Sequence, residues 1–181
     1  MNYYEKTIGV QPIYHGNILD VERLTVELPN GKIATRDVIR NPGASVVVPI
    51  TDDGQIILVE QFRKPNDKVF IELPAGKLDF PGEDPERCAA RELEEETGYT
   101  AQKLEKILTL YPAPAFADEI LHIYLATGLS CGECHPDEDE FITAKAYPLE
   151  EALRMIDEGV ICDAKSVAGI LMAERIINKR K

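Results

Sequence analysis

The sequence predicts an α/β domain built in layers, preceded by a small antiparallel β-subdomain. Strand-like segments rich in Val, Ile and Leu are interspersed with helical segments. A strong helix signal begins at Asp84-Pro85, where Asp is a preferred N-cap and Pro fits the first helical position, and it ends at Gly98. Asn41-Pro42-Gly43 interrupts the pattern, so we place a domain boundary between residues 1–42 and 43–181.

Residues 1–42 are predicted to be mainly β-structure. Residues 17–28 form one strand, Pro29-Asn30-Gly31-Lys32 forms a hairpin turn, and residues 32–39 form the return strand. A hairpin of this kind cannot bury its own apolar face. We therefore expect it to pack on the main domain or on a second subunit.

The main domain is predicted to alternate between strands and helices. Its predicted strands are 44–50, 55–60, 68–73, 106–111, 119–126 and 142–147, and its predicted helices are 85–97, 149–158 and 163–179. Residues 130–139 form an acidic loop that contains Gly and Pro.

Charge and composition restrict the function. The chain has 181 residues, 44% of them apolar, and carries 20 basic and 32 acidic residues for a net charge of −12. Such an acidic surface disfavours nucleic acid and anionic lipid, because both are bound largely through Lys and Arg. A metal-dependent enzyme for a small phosphate compound stays open, since metal ions reverse the local sign of the charge.

The location predicted from the sequence is cytoplasmic. The first residues show no apolar stretch behind a basic start, and no run approaches the roughly 20 apolar residues of a membrane span. The four cysteines are therefore expected to be free thiols. Cys131-Gly132-Glu133-Cys134-His135 has the spacing of a haem-attachment motif and of half a zinc site, but ordinary loop cysteines are favoured because no second C-x-x-C pair exists.

The most informative segment is the second half of the predicted helix 85–97, where residues 92–96 include four glutamates. At 100° per residue, Glu92, Glu95 and Glu96 share an arc of about 100°, whereas Glu94 faces the other way. Leu93 borders the arc with apolar surface, which places the acidic cluster next to the core. A solvated acidic helix face is the alternative interpretation.

Carboxylates this close together repel one another. At about 5 Å and an effective dielectric of about 20, each pair costs on the order of 3 kcal/mol. Cations among the carboxylates relieve this repulsion, and hard oxygen ligands suit Mg²⁺ or Mn²⁺. Arg91, four residues before Glu95, is placed to orient it by a paired hydrogen bond.

The segment resembles the Nudix box, G-x₅-E-x₇-R-E-U-x-E-E-x-G-U with U apolar. The matching residues are Gly76…Glu83-x₇-Arg91-Glu92-Leu93-x-Glu95-Glu96-x-Gly98-Tyr99. One departure is an extra residue between Gly76 and Glu83, which we assign to Asp79-Phe80-Pro81 in the loop before the helix.

The resemblance implies a Nudix-type α/β/α sandwich with a mixed sheet and hydrolysis of a nucleoside diphosphate compound. It also implies metal ligands on this chain. They are Glu92, Glu95, Glu96 and the Ala75 carbonyl, with Glu83 as a weaker candidate. Glu96 is also a candidate catalytic residue, and Mg²⁺, or Mn²⁺, is the implied cofactor.

Further residues resemble the ADP-ribose pyrophosphatases of this family. Pro114 lies fifteen residues after Tyr99, as does the proline that marks that subfamily, although Ala115 replaces the usual glycine. Glu119 matches a glutamate that usually follows this proline by a few residues in the subfamily. Residues 59–63 also resemble the subfamily, so Arg63 and, from the N-terminal sheet, Arg36 are candidate substrate-binding residues together with Pro114 and Glu119. Ordinary strand arginines are the alternative for both.

The acidic stretch at residues 137–142 resembles the loop that supplies the general base in these relatives. A movable loop carboxylate suits that role, because it can close over the substrate and accept a proton from water. Glu140 and Glu138 are both candidates, and a merely solvated loop is the alternative.

The resemblance further implies a homodimer through the N-terminal sheet and a nucleoside diphosphate sugar, ADP-ribose first, as substrate. GDP-sugars, dinucleoside polyphosphates, NADH and oxidised nucleotides are alternative substrates. A ligand sensor without catalysis is a different class of function, which the complete set of box carboxylates disfavours.

Overall fold

The computed structural model describes residues 2–80, 82–132 and 141–180. The strands are β1 (Lys6–His15), β2 (Asp20–Glu27), β3 (Ile33–Arg40), β4 (Ala44–Pro49), β5 (Gln55–Arg63), β6 (Lys68–Glu72), β7 (Ala75–Lys77), β8 (Tyr99–Leu110), β9 (Leu121–Cys131) and β10 (Ile142–Pro148). The helices are α1 (Pro85–Thr97), α2 (Leu149–Asp157) and α3 (Ala164–Arg180).

The chain divides into two compact units. The first contains the residues up to Gly43 together with Tyr111–Ile120. Its antiparallel sheet has the order β1-β2-β3. The segment Tyr111–Ile120 attaches to β3, because the Ile39 amide donates to the Phe116 carbonyl at 2.7 Å and the Asp118 amide donates to the Ile39 carbonyl at 3.1 Å.

The second unit contains Ala44–Leu110 and Leu121–Lys181. Its four-stranded sheet has the order β7-β4-β9-β8 and is mixed, since β4 runs parallel to β9 and antiparallel to β7. A three-stranded antiparallel sheet, β10-β5-β6, belongs to the same unit. The predicted mixed sheet and the predicted N-terminal antiparallel sheet are therefore both confirmed.

Strand β4 shows why the unit is layered. Its consecutive side chains Val46, Val47 and Val48 are all fully buried, so both faces of the strand are covered. Val46 and Val48 pack into the larger core with residues of α2 and α3, whereas Val47 packs with Leu93 of α1. The helices thus cover opposite faces, as the α/β/α prediction requires.

Helix α1 has the predicted limits because its end signals are local. The Asp84 side chain accepts a hydrogen bond from the Glu86 amide at 3.1 Å, Pro85 occupies the first turn, and Gly98 ends the helix in the left-handed conformation. The long strands were predicted less well: β8 begins at Tyr99 rather than near residue 106, and β9 continues to Cys131.

Strand β8 starts early because its N-terminal half is paired by a distant partner. Tyr99 pairs with Cys131 and Lys103 with Thr127, whereas polar side chains in this half hide the strand pattern in the sequence. No helix within the described ranges is long and apolar enough to cross a membrane.

Candidate active site

The carboxylates of α1 differ in burial as the helix geometry predicts. Glu92 and Glu96 are buried, with 8% and 3% of their surface exposed, and Glu95 is half-buried. Glu94 faces solvent. Buried carboxylates require partners that compensate the lost hydration, so the contacts of this face determine what it can bind.

Arg91 is the main cationic partner of this face. Its Nη1 donates to Glu92 Oε1 at 2.6 Å and to Glu95 Oε2 at 3.0 Å. Burial acts to lower the pKa of Arg91, but its interactions with Glu92 and Glu95 outweigh this effect and raise the pKa. Arg91 therefore stays charged and fixes Glu92 and Glu95, two of the three glutamates of α1 predicted as ligands.

Arg91 also holds the loop before the helix. Its Nη2 lies 3.2 Å from Asp79 Oδ2 and donates to the Lys77 carbonyl at 3.3 Å. Glu83 accepts from the Asp79 amide at 2.7 Å, and its second oxygen lies 3.8 Å from Arg91 Nη2. Glu83 therefore supports the loop and the arginine in this structure.

Ala75 and Gly76 lie directly against the carboxylates. The Ala75 amide donates to Glu96 Oε2 at 3.0 Å. A Cβ on Gly76 would meet the Glu92 carboxylate at 2.0 Å, so only glycine leaves room for Glu92 there. The extra loop residue before Glu83 thus leaves both backbone positions next to the helix.

These groups fit a hard divalent cation by their chemistry. Glu92, Glu95 and Glu96 are carboxylates, and Ala75 brings a backbone carbonyl to the same region, which are the oxygen ligands that Mg²⁺ or Mn²⁺ prefer. Across residues 2–80, 82–132 and 141–180, no group of three or more acidic, His or Cys side chains has the geometry of a formed ion site. The fit to a divalent cation therefore rests on the chemical type of the donor groups and on the close approach of Gly76 to the Glu92 carboxylate.

Arg63, at the end of β5, is held by an ion pair that sequence analysis missed. Its Nε and Nη2 donate to the two oxygens of Glu72 at 2.8 and 3.0 Å. Burial acts to lower the pKa of Arg63, but the carboxylates of Glu72, Glu96 and Asp163 outweigh it and raise the pKa. Arg63 thus lies in the electrostatic range of Glu96.

Glu72 is almost completely buried and has a second cationic partner, Lys165 of α3. Burial acts to raise the pKa of Glu72, but Arg63 and Lys165 outweigh it and hold the pKa below its usual value. A glutamate at the end of an apolar strand signals a buried partner, yet no local spacing points to Lys165, which is 93 residues away.

The other predicted substrate residues belong to the first unit. Arg36 donates to the Thr35 carbonyl at 2.9 Å and to Glu5 Oε1 at 2.6 Å. Pro114 is exposed and Glu119 is half-buried, both in the segment that follows β8. Their roles stay predictions. The predicted bases Glu138 and Glu140 lie outside the described residues.

Replacing Gly76 by alanine is expected to weaken metal binding. The new Cβ would occupy the place of the Glu92 carboxylate, so Glu92 must turn away. We expect the affinity for Mn²⁺, measured by electron paramagnetic resonance, to fall about tenfold or more, the size of losing one good ligand contact. Gly9→Ala, whose Cβ would make ordinary contacts with Thr25, is the control. Unchanged Mn²⁺ affinity in Gly76→Ala would contradict the assignment.

The chain is similar to known proteins over nearly its whole length. It is 49% identical to "ADP-ribose pyrophosphatase" of Bacillus subtilis (strain 168), covering 92% of this chain and 90% of that protein. It is 45% identical to "Methanol dehydrogenase activator" of Bacillus methanolicus, covering 93% and 91%. A crystal structure of an ADP compounds hydrolase has the same fold, with a TM-score of 0.85, 22% identity, and coverage of 97% of this chain and 95% of that chain.

Two families match in tandem. Residues 5–39 match the nucleoside diphosphate sugar hydrolase N-terminal domain, and residues 40–169 match the NUDIX domain. The second match covers most of the chain and includes the whole carboxylate helix with its arginine. Together with the identity to the Bacillus relatives, this match shows that the chain belongs to the Nudix hydrolase family.

Proposed function

We propose that this Nudix hydrolase uses Mg²⁺, or Mn²⁺, to hydrolyse ADP-ribose to AMP and ribose 5-phosphate. The observation that carries the proposal is the cluster of Glu92, Glu95 and Glu96 on one face of α1, held by Arg91 against Ala75 and Gly76. The 49% identical Bacillus subtilis relative, named for this activity, supports the choice of substrate.

The chain's own residues have distinct tasks in this proposal. Glu92, Glu95, Glu96 and the Ala75 carbonyl hold the ion, and Arg91 keeps the carboxylates in place. A bound divalent ion supplies positive charge that offsets the charge of the pyrophosphate. Arg63, which belongs to the second unit, binds a phosphate oxygen of the substrate, a role that suits a guanidinium with 39% of its side chain exposed.

ADP-ribose is preferred over other nucleoside diphosphate compounds because of residues outside the box. Pro114, Glu119 and Arg36 resemble the ADP-ribose pyrophosphatase pattern, and we assign them to the binding of the adenosine and ribose parts. The N-terminal sheet that carries Arg36 matches a nucleoside diphosphate sugar hydrolase domain, which favours a nucleotide sugar over a dinucleoside polyphosphate. We also propose that the protein acts in the cytoplasm.

The first test is release of AMP from ADP-ribose with Mg²⁺, compared with GDP-mannose, diadenosine polyphosphates, NADH and oxidised nucleotides. We expect AMP from ADP-ribose at the highest kcat/KM. In Glu96→Gln, the loss of one carboxylate ligand should lower kcat by about a hundredfold or more, because the divalent ion that offsets the charge of the pyrophosphate would be held less well.

Glu94→Gln is the matched control for Glu96→Gln. It makes the same change on the exposed side of the same helix and should leave kcat within about twofold. Selective hydrolysis of another compound would contradict ADP-ribose as the substrate. It would not contradict the metal-binding role proposed for α1. Full activity of Glu96→Gln, or no hydrolysis of any compound by the parent protein, would contradict the proposed enzyme.

The general base is proposed to be Glu140 or Glu138. Removing the carboxylate that accepts the proton of the attacking water should lower kcat by about 10² to 10⁴ and leave KM nearly unchanged. Glu140→Gln and Glu138→Gln, measured over a range of pH, separate the two. Wild-type kcat in both single variants and in the double variant would place the base elsewhere.

We also propose a homodimer formed through the N-terminal sheet. Its strand β1 is one of the two edge strands of the sheet, and the apolar side chains Ile8, Val10 and Ile13 on it are exposed. Exposed edges and apolar patches of this kind are typical of surfaces that pair with another chain. Sedimentation equilibrium is expected to give a dimer at micromolar concentration. A monomer would contradict the dimer without affecting the chemistry proposed for α1.

A further inference from the structure

Four charged side chains form an ion-pair chain on one side of the second unit. Arg63 contacts Glu72, Glu72 contacts Lys165, and Lys165 donates to Asp163 Oδ2 at 2.9 Å. They alternate in sign and line one pocket of about 320 Å³ together with Phe70. These ion pairs therefore link the end of β5 to the beginning of α3.

The members of this chain differ in exposure. Glu72 and Lys165 have 4% and 15% of their side chains exposed, whereas Arg63 has 39% exposed. Removing one partner from a buried ion pair leaves an uncompensated charge. Arg63 is the accessible end of this series of ion pairs. A change at Lys165 therefore alters the electrostatic environment of Arg63 through Glu72.

The first turn of α3 is fixed by contacts that do not involve Glu72 or Arg63. Ser166 is fully buried, and its hydroxyl accepts a hydrogen bond from the Leu73 amide at 2.8 Å. The Ser166 amide donates to Asp163 Oδ2 at 3.1 Å, which caps the helix. Lys165 is thus held at the pocket by the fold and does not rely on Glu72 for its place.

The charge balance assigns Lys165 a task. Glu72 is shared between Arg63 and Lys165, and Lys165 also contacts Asp163. With Lys165 present, two cations balance these two carboxylates. Without it, Arg63 alone faces Glu72 and Asp163, and the local charge is more negative by one unit.

We propose that Lys165 is a positioning residue for substrate binding, which shares the charge of Glu72 and thereby leaves Arg63 less neutralised by that carboxylate and oriented toward the substrate pyrophosphate. This inference rests on the proposed function, since it assigns Arg63 to the substrate. Lys165 acts through Arg63 and does not take part in bond cleavage. It should therefore affect KM more than kcat.

The test is a double-mutant cycle with Lys165→Met and Arg63→Met, measured by steady-state kinetics with ADP-ribose. Lys165→Met is expected to raise KM about tenfold, the usual range for a lost hydrogen bond to a charged group, with kcat within about twofold. Lys165→Arg should restore most of the KM. In the Arg63→Met background, Lys165→Met should change KM less than about twofold.

Two further variants separate this role from a structural one. Lys165→Gln keeps a hydrogen-bond donor and removes only the charge, and it should raise KM as Lys165→Met does. Lys145→Met breaks an exposed ion pair with Glu60 (2.6 Å) in the same unit and should leave KM unchanged. The proposal is overturned if Lys165→Met raises KM equally with and without Arg63, if it lowers kcat alone, or if Lys165→Arg gives no rescue.

Measurements on the parent protein distinguish the failure of this proposal from the failure of the proposed function. If it releases no AMP from ADP-ribose but hydrolyses another compound in the panel, the substrate assignment fails and the same cycle is measured with that compound. If it hydrolyses none, the cycle is measured as the Kd of inorganic pyrophosphate by calorimetry. The role of Lys165 is then overturned if the two substitutions have additive effects on this Kd, or if the parent protein does not bind pyrophosphate.

Discussion

Arg91 holds two carboxylates of one helix face within hydrogen-bond distance of a single nitrogen, and the candidate site depends on this contact. Glu92 and Glu95 would otherwise repel each other by on the order of 3 kcal/mol. Leu93, packed in the core at the border of this face, prevents the helix from turning the face to solvent. The repulsion is therefore contained by the fold, and the remaining negative charge is what makes the face suitable for a cation.

A second constraint is the close approach of the backbone at Ala75 and Gly76. This segment is held from three directions, because the Val47 amide donates to the Pro74 carbonyl at 2.9 Å, the Ala75 amide donates to Glu96, and Ser166 holds Leu73. The central strand β4, the carboxylate-bearing helix α1 and the C-terminal helix α3 thus meet on three consecutive residues, Leu73, Pro74 and Ala75. A displacement of any one of them would move the Ala75 carbonyl relative to the carboxylates.

The sequence predicts what is determined locally and misses what is paired at a distance. The limits of α1, the exposure of Glu94 and the burial of Glu92 follow from caps and from helical periodicity, and all agree with the structure. The early start of β8 depends on pairing with β9, and the partner of Glu72 lies on α3. Such pairs leave no periodic signal, because each residue alone has the pattern of an ordinary strand or helix.

Arg91 and Arg63 of the second unit differ in how far their charge is neutralised, in a chain with a net charge of −12. Arg91 is occupied by Glu92, Glu95 and Asp79, so its charge serves the fold of the site. Arg63 shares its one carboxylate with Lys165, and a large part of it is accessible. Because positive charge is useful to a substrate only where it is incompletely neutralised, Arg63 and an ion held by α1 are the two groups that, under the proposed function, would offset this acidic charge for an anionic substrate.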